Sequence, residues 1–197
     1  MIRDDLSNKL IHLTKGSYEE ASSIFLKILN SKKLLGSNAD IRGKSKVICF
    51  SEAPINKLGY ILAQPNAHNF RYAPFGIMLE KAYLFKKGAR PVIYQTEDEF
   101  KLLKEEQQFR HVKFDLDKNV DWTWEREWRI EAAELDLEEK HVTMIVPDRI
   151  WEEKFKDDHH SRLSRANLVT LGFGAGMVGK LKWHFIVLED LGVQIPK

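Results

Sequence analysis

Apolar and polar positions along the chain change period several times, and each period predicts an element. Leu10-Ile11-His12-Leu13-Thr14 reads as a short strand. Ser17 with Glu20 three residues later has the spacing of a capping box, in which each side chain satisfies a backbone N–H of the other residue. The helix it opens carries Tyr18, Ala21, Ile24, Phe25, Ile28 and Leu29 on one apolar stripe, and Asn30, Ser31 and Gly36 are expected to close it. Lys46 to Phe50 predicts a second strand running into Ser51-Glu52-Ala53-Pro54, where the proline suits the first turn of a short helix.

Phe75 to Leu79 and Arg90 to Tyr94 predict two more strands, separated by a helical turn or two around Lys81 to Lys87 and by Gly88. Glu97 to Phe109 reads as a charged helix. Val112 to Leu116, Trp122 to Glu131 and His141 to Val146 supply three further strands, Arg149 to Arg165 a helix, and Leu168 to Phe173 and Leu181 to Val187 two closing strands. Helices early and strands late predict an α+β fold with mixed, mostly antiparallel sheets flanked by helices. No repeat, low-complexity tract or linker divides the sequence, so residues 1–197 are expected to form one domain.

The most informative stretch is Asp121 to Ile130. Its even positions are Trp122, Trp124, Arg126, Trp128 and Ile130, and its odd ones Thr123, Glu125, Glu127 and Arg129, which is strand alternation. A single strand would place three tryptophans on the core face and Glu125, Glu127 and Arg129 together on the other, the two carboxylates about 7 Å apart. Two acids on one strand face require a nearby cation, for which Arg129 and Arg71 are the candidates. Such a group is either a structural ion pair on a solvated face or a reactive carboxylate held rigid by the aromatic layer beneath it.

Composition narrows the field. Lys and Arg number 31 against 29 Asp and Glu, a formal net charge of +2, so binding of nucleic acid by bulk electrostatics is not expected. The lone cysteine, Cys49, excludes an internal disulfide and suits a reducing compartment. Charges scattered through the first 30 residues break any signal-peptide pattern, and no segment reaches the roughly 20 apolar residues of a membrane span, so a cytoplasmic location without membrane contact is expected.

The order of these segments resembles the ADP-ribosyltransferase fold: a strand with His12-x-Thr14-Lys15, a capped helix, then Cys49-Phe50-Ser51-Glu52, Phe75-Gly76-Ile77, Pro91-Val92-Ile93-Tyr94 and a late Trp124-Glu125-x-Glu127-Trp128-Arg129. Within that superfamily the chain resembles the bacterial DarT-like enzymes and the AbiGi-like abortive phage resistance proteins. The resemblance implies a toxin or effector of anti-phage defence that transfers ADP-ribose from NAD, its substrate, to a DNA, RNA or protein acceptor, with a cognate antitoxin as a further partner. It implies that His12 holds a ribose hydroxyl with Thr14 beside it, that Ser51 stands at the second triad position, and that Glu127, or Glu125, is catalytic. Phe50 or Tyr72 would stack on the nicotinamide ring. Arg71-Tyr72 and Arg90 are candidates for a pyrophosphate or acidic acceptor. No metal is required. The alternative on the same fold is a binding module, antitoxin-like or a sensor, that does not turn over.

Other matches carry less. Gly174 to Gly179 fits G-x-G-x-x-G and, with Lys180, most of a P-loop, but Leu181 stands where the loop needs Ser or Thr, and too little chain follows for a dinucleotide unit. His159-His160 beside Asp157-Asp158 reads as a solvated helix face, because adjacent helical residues point about 100° apart. Cys49 inside an apolar strand reads as inert.

Overall fold

The computed structural model describes residues 5–63, 71–171, 183–193 and 195, with the side chains of 162–171 excepted. Its first strand, β1 (Lys9–Leu13), leads into helix α1 (Tyr18–Ser31) through the expected capping box. Ser17 accepts from the Glu20 N–H, and Glu20 accepts from the Ser17 N–H. The helix ends at Ser31, one of the residues expected to close it, with Lys32 in the left-handed region as its C-cap. The chain then forms β2 (Lys33–Leu35), which pairs antiparallel with β9 (Glu134–Asp136).

The main sheet is completed by β3 (Val47–Ser51), β4 (Gly76–Glu80), β5 (Arg90–Pro91), β8 (Glu127–Glu131), β10 (Val142–Val146) and β11 (His184–Val187). Its strand order is β11-β10-β4-β1-β3-β8-β5, antiparallel except where β11 lies parallel to β10. A separate pair joins β6 (Ile93–Gln95) to β7 (His111–Lys113) in parallel. The class is α+β, mostly antiparallel. Helices and strands interleave along the chain, so the expected segregation of helices to the first half does not hold.

Alternation sends side chains to the two faces of the sheet. On one face Leu10, Ile48, Phe50, Ile77, Leu79, Ile130, Met144 and Val146 pack against Ala21, Phe25, Ile28 and Leu29 of α1 and against Phe155. Phe155 lies on α6 (Arg149–Leu171). On the other face Ile11, Leu13 and Ile145 pack against Leu58, Ile61 and Leu62 of α2 (Leu58–Leu62). That second face changes character across the sheet. Where β3 and β8 continue it, the residues are Cys49, Ser51, Glu127 and Arg129, which is a polar wall beside an apolar one.

Several predicted elements are shorter or broken. Arg90 to Tyr94 is two strands: Pro91 ends β5 at the sheet edge, and Ile93 turns away to pair with β7. Glu97 to Phe109 is two short helices, α4 (Glu97–Phe100) and α5 (Glu105–Gln108), because Lys104 adopts extended backbone. The six-residue α3 (Lys81–Lys86) is the expected helical turn. Strand β7 stops at Lys113, and Leu116 begins a 3₁₀ turn. Helix α6 runs on to Leu171, so Leu168 does not open a strand; nothing in 149–171 is Gly or Pro, and no residue there breaks the helix. Gly174 to Lys180 lies outside the described residues. No helix among the described residues is long and apolar enough to cross a membrane.

Candidate active site

Strand β1 meets β3 at one register pair, Ile11 with Ser51, although each is paired along its length with its other neighbour, β4 or β8. Past that pair the two strands share no further rung. In its place the His12 side chain reaches across, with Nδ1 2.8 Å from the Cys49 carbonyl oxygen. A carbonyl only accepts, so Nδ1 carries the proton and the neutral ring presents Nε2 as a lone-pair acceptor. Burial holds the His12 pKa below its ordinary value, which keeps the ring neutral, and Phe50 meets it edge-on.

A cavity of about 410 Å³ occupies this seam, a volume within the range of small-molecule sites. Its wall takes His12 from β1, Cys49, Phe50 and Ser51 from β3, Glu127 and Arg129 from β8, Glu125 from the preceding turn, and Arg71 and Tyr72 from the segment before β4. The structure thus brings His12, Ser51, Arg71, Tyr72, Glu125 and Glu127 together. It leaves out Thr14, which follows β1, is buried, and spends its hydroxyl on the Phe75 carbonyl. Arg90 is also elsewhere, bonded to the carbonyls of Phe85 and Ala89 and stacked on the Phe85 ring.

The strand expected over Trp122 to Glu131 is half turn and half strand. Asp121 accepts from both the N–H and the hydroxyl of Thr123, which starts a 3₁₀ turn over Thr123–Glu125. Arg126 in the left-handed region ends the turn, and β8 begins at Glu127. The three tryptophans therefore share no face. Trp122 lies against the Arg71 guanidinium at 4.4 Å, Trp124 packs on the α2 side of the sheet, and Trp128 packs on the α1 side. No indole layer underlies both acids, and the strand-rise spacing of Glu125 and Glu127 does not apply.

Each acid nevertheless has one of the two cations named for it. Arg129 grips Glu127 with two parallel bonds, Nε to Oε1 at 2.9 Å and Nη2 to Oε2 at 3.0 Å. Its remaining nitrogen donates to the carbonyls of Phe109 and His111. Arg129 is buried and wholly committed, so it holds the Glu127 side chain in one orientation. Each oxygen of that carboxylate still has a lone pair for a ligand hydroxyl. The backbone of Glu127 is held as well: its N–H donates to the Tyr94 hydroxyl, which donates to the Trp122 carbonyl.

Glu125 is buried beside Arg71, Nε to Oε1 at 2.7 Å. Neither atom has a hydrogen-bond partner among the described residues, so the contact is ionic and misaligned. Burial raises the Glu125 pKa, Arg71 opposes the rise, and Glu127 adds to it. Ser51 is the splice between strand and turn: its hydroxyl donates to the Glu125 carbonyl at 2.6 Å and accepts from the Ala53 N–H. Cys49 does not serve as a nucleophile, since burial and the neighbouring Glu127 push its thiol up to about 12.

Sequence reasoning missed other parts of the wall. Lys15, Trp122, His111, Lys113 and the Asp40-Ile41-Arg42 turn all line the cavity. Lys15 stands over the Tyr72 ring at 5.6 Å and makes no ion pair with another described residue. Its place directly after His12-x-Thr14 was the available signal; His111 and the Asp40 turn offered none, being a strand start and a polar loop. No cluster of metal-binding side chains occurs among the described residues. Comparison of the chain with family models, with curated proteins and with solved structures finds no match.

Proposed function

We propose that the chain is an NAD-dependent mono-ADP-ribosyltransferase of the ADP-ribosyltransferase-like fold, acting as a toxin or effector in bacterial anti-phage defence. The observation that carries the reading is the meeting of an imidazole, a hydroxyl and a clamped carboxylate from three distant segments, at His12, Ser51 and Glu127, in one sheet cavity.

The chemistry fits those groups. The bond between the ribose anomeric carbon and the nicotinamide nitrogen breaks with its electron pair passing to the ring, leaving neutral nicotinamide and an oxocarbenium-like sugar. Glu127, held in place by Arg129, accepts from the neighbouring ribose hydroxyl and strengthens that bond as positive charge develops. Neutral His12 supplies an acceptor for a second hydroxyl through Nε2. Ser51 keeps the Glu125 turn against β3, and Tyr72 offers a ring face for the nicotinamide, whereas Phe50 is spent on the core beside α1. The acceptor, DNA, RNA or protein, then bonds to the anomeric carbon and gives up its proton. Lys15, with no carboxylate partner among the described residues, is a cation on the cavity wall that can meet a phosphate.

The test is incubation with labelled NAD and bacterial extract beside Glu127→Gln. Nicotinamide release and label transfer by the wild type, reduced about 100-fold or more in the variant, are the expected result. No release by the wild type under any acceptor condition would overturn it. A second reading, a binding module without turnover, draws on the full engagement of Glu127 by Arg129 and of the Ser51 hydroxyl by Glu125. It predicts harmless expression of the wild type, whereas a transferase is toxic and relieved by Glu127→Gln.

A further inference from the structure

Glu127 and Ile61 line not one cavity but two. The second, of about 590 Å³, opens beside β8 and is walled by rings: Tyr60, Tyr94, Trp124, Trp128, Pro54 and Pro91. Trp128 is oriented by Glu52, which accepts from its indole N–H at 2.9 Å and pairs with Lys81 through its other oxygen. Tyr60, one of these rings, is 70% exposed and so reachable from solvent.

The charges of this cavity are largely matched within the molecule. Arg126 pairs with Asp5, Glu52 with Lys81, and Glu127 with Arg129. Lys57 is the lining cation with no carboxylate partner among the described residues, and it stands 5.8 Å from the Tyr60 ring. A nucleic acid strand needs a run of free cations along its phosphates, and the described residues that line this cavity supply none. Tyr, Trp and Pro surfaces with few free charges are what proline- and aromatic-bearing peptide segments dock against.

We infer that this second cavity receives the acceptor, and that the acceptor is a polypeptide segment bearing proline or aromatic side chains. The inference rests on the transferase reading, since Glu127, shared by both cavities, is then the point at which donor and acceptor meet. An oxygen or nitrogen of the segment forms the bond to the anomeric carbon, nicotinamide leaves with the electron pair of the broken bond, and the displaced proton passes to water.

Binding tests it without turnover. A fluorescein-labelled peptide of alternating proline and tyrosine and a labelled oligothymidylate are titrated with the wild type, Tyr60→Ser and, as an exposed control away from both cavities, Leu102→Ser. The expected result is saturable peptide binding, weakened about tenfold by Tyr60→Ser and unchanged by Leu102→Ser. Peptide binding indifferent to Tyr60→Ser, oligothymidylate binding that Tyr60→Ser weakens, or no binding of either probe overturns the inference. Label transferred from NAD into nuclease-sensitive rather than protease-sensitive material does so too. Absence of nicotinamide release is a separate failure, of the transferase reading, and leaves the peptide titration to be judged by itself.

Discussion

Arg129 is the residue on which the site's order depends. Both partners of the Glu127–Arg129 pair are about nine-tenths buried, with side-chain exposures of 11% and 7%, and the guanidinium also satisfies two backbone carbonyls. Removing one partner strands a buried charge, so Arg129→Ala is expected to cost about 3–5 kcal/mol in urea denaturation. Glu127→Gln keeps an acceptor for Arg129 and is expected to cost less, which allows its activity to be judged on folded protein. His12 makes a prediction about pH. Its pKa in the folded chain lies below the ordinary 6.5, so below that pH the unfolded chain binds the extra proton first. Stability therefore falls on acidification, and His159 adds in the same direction. The urea midpoint should be lower at about pH 5.5 than at about pH 7.5, and His12→Gln, which retains a donor for Cys49, should make the difference smaller.

Among elements, the stretch before β8 shows where periodicity misleads. Glu127 to Ile130 does alternate as a strand, and that half was readable. Trp122 to Arg126 has the same even-odd pattern but folds as a turn, because Asp121 captures Thr123 and a left-handed Arg126 redirects the chain. The signal was the Asp-x-Thr spacing, which a run of tryptophans obscures. The capping box at Ser17 was fully readable because its bonds are local. Gly36, by contrast, does not end α1; it lies past β2 where the backbone of another segment passes close. A Cβ there would stand 2.0 Å from the Ala132 carbonyl oxygen. Gly36→Ala should thus destabilise by about 1–3 kcal/mol, read as a lowered melting temperature, through displacement of the β2–β9 pair.

For the molecule as a whole, strand identity was more readable than strand neighbourhood. The positions of His12, Ser51 and Glu127 on or at the ends of strands followed from local pattern. That β1 and β8 flank β3, so that all three reach one cavity, depends on pairings between residues far apart in sequence, which period alone does not encode. The Lys15, Arg42, His111 and Lys113 walls come from loops and short strands whose placement is decided only by what they pack against.

The single rung at Ile11 and Ser51 has a mechanical corollary. A sheet sewn along every other seam but tacked at one stitch here divides into two panels that can shear with little loss of amide bonding. A dinucleotide lodged along the gap would act as the missing thread. Deuterium uptake should then slow across Val47–Ser51 and Lys9–Leu13 when NAD is added, and spare Val142–Val146, two strands away from the seam.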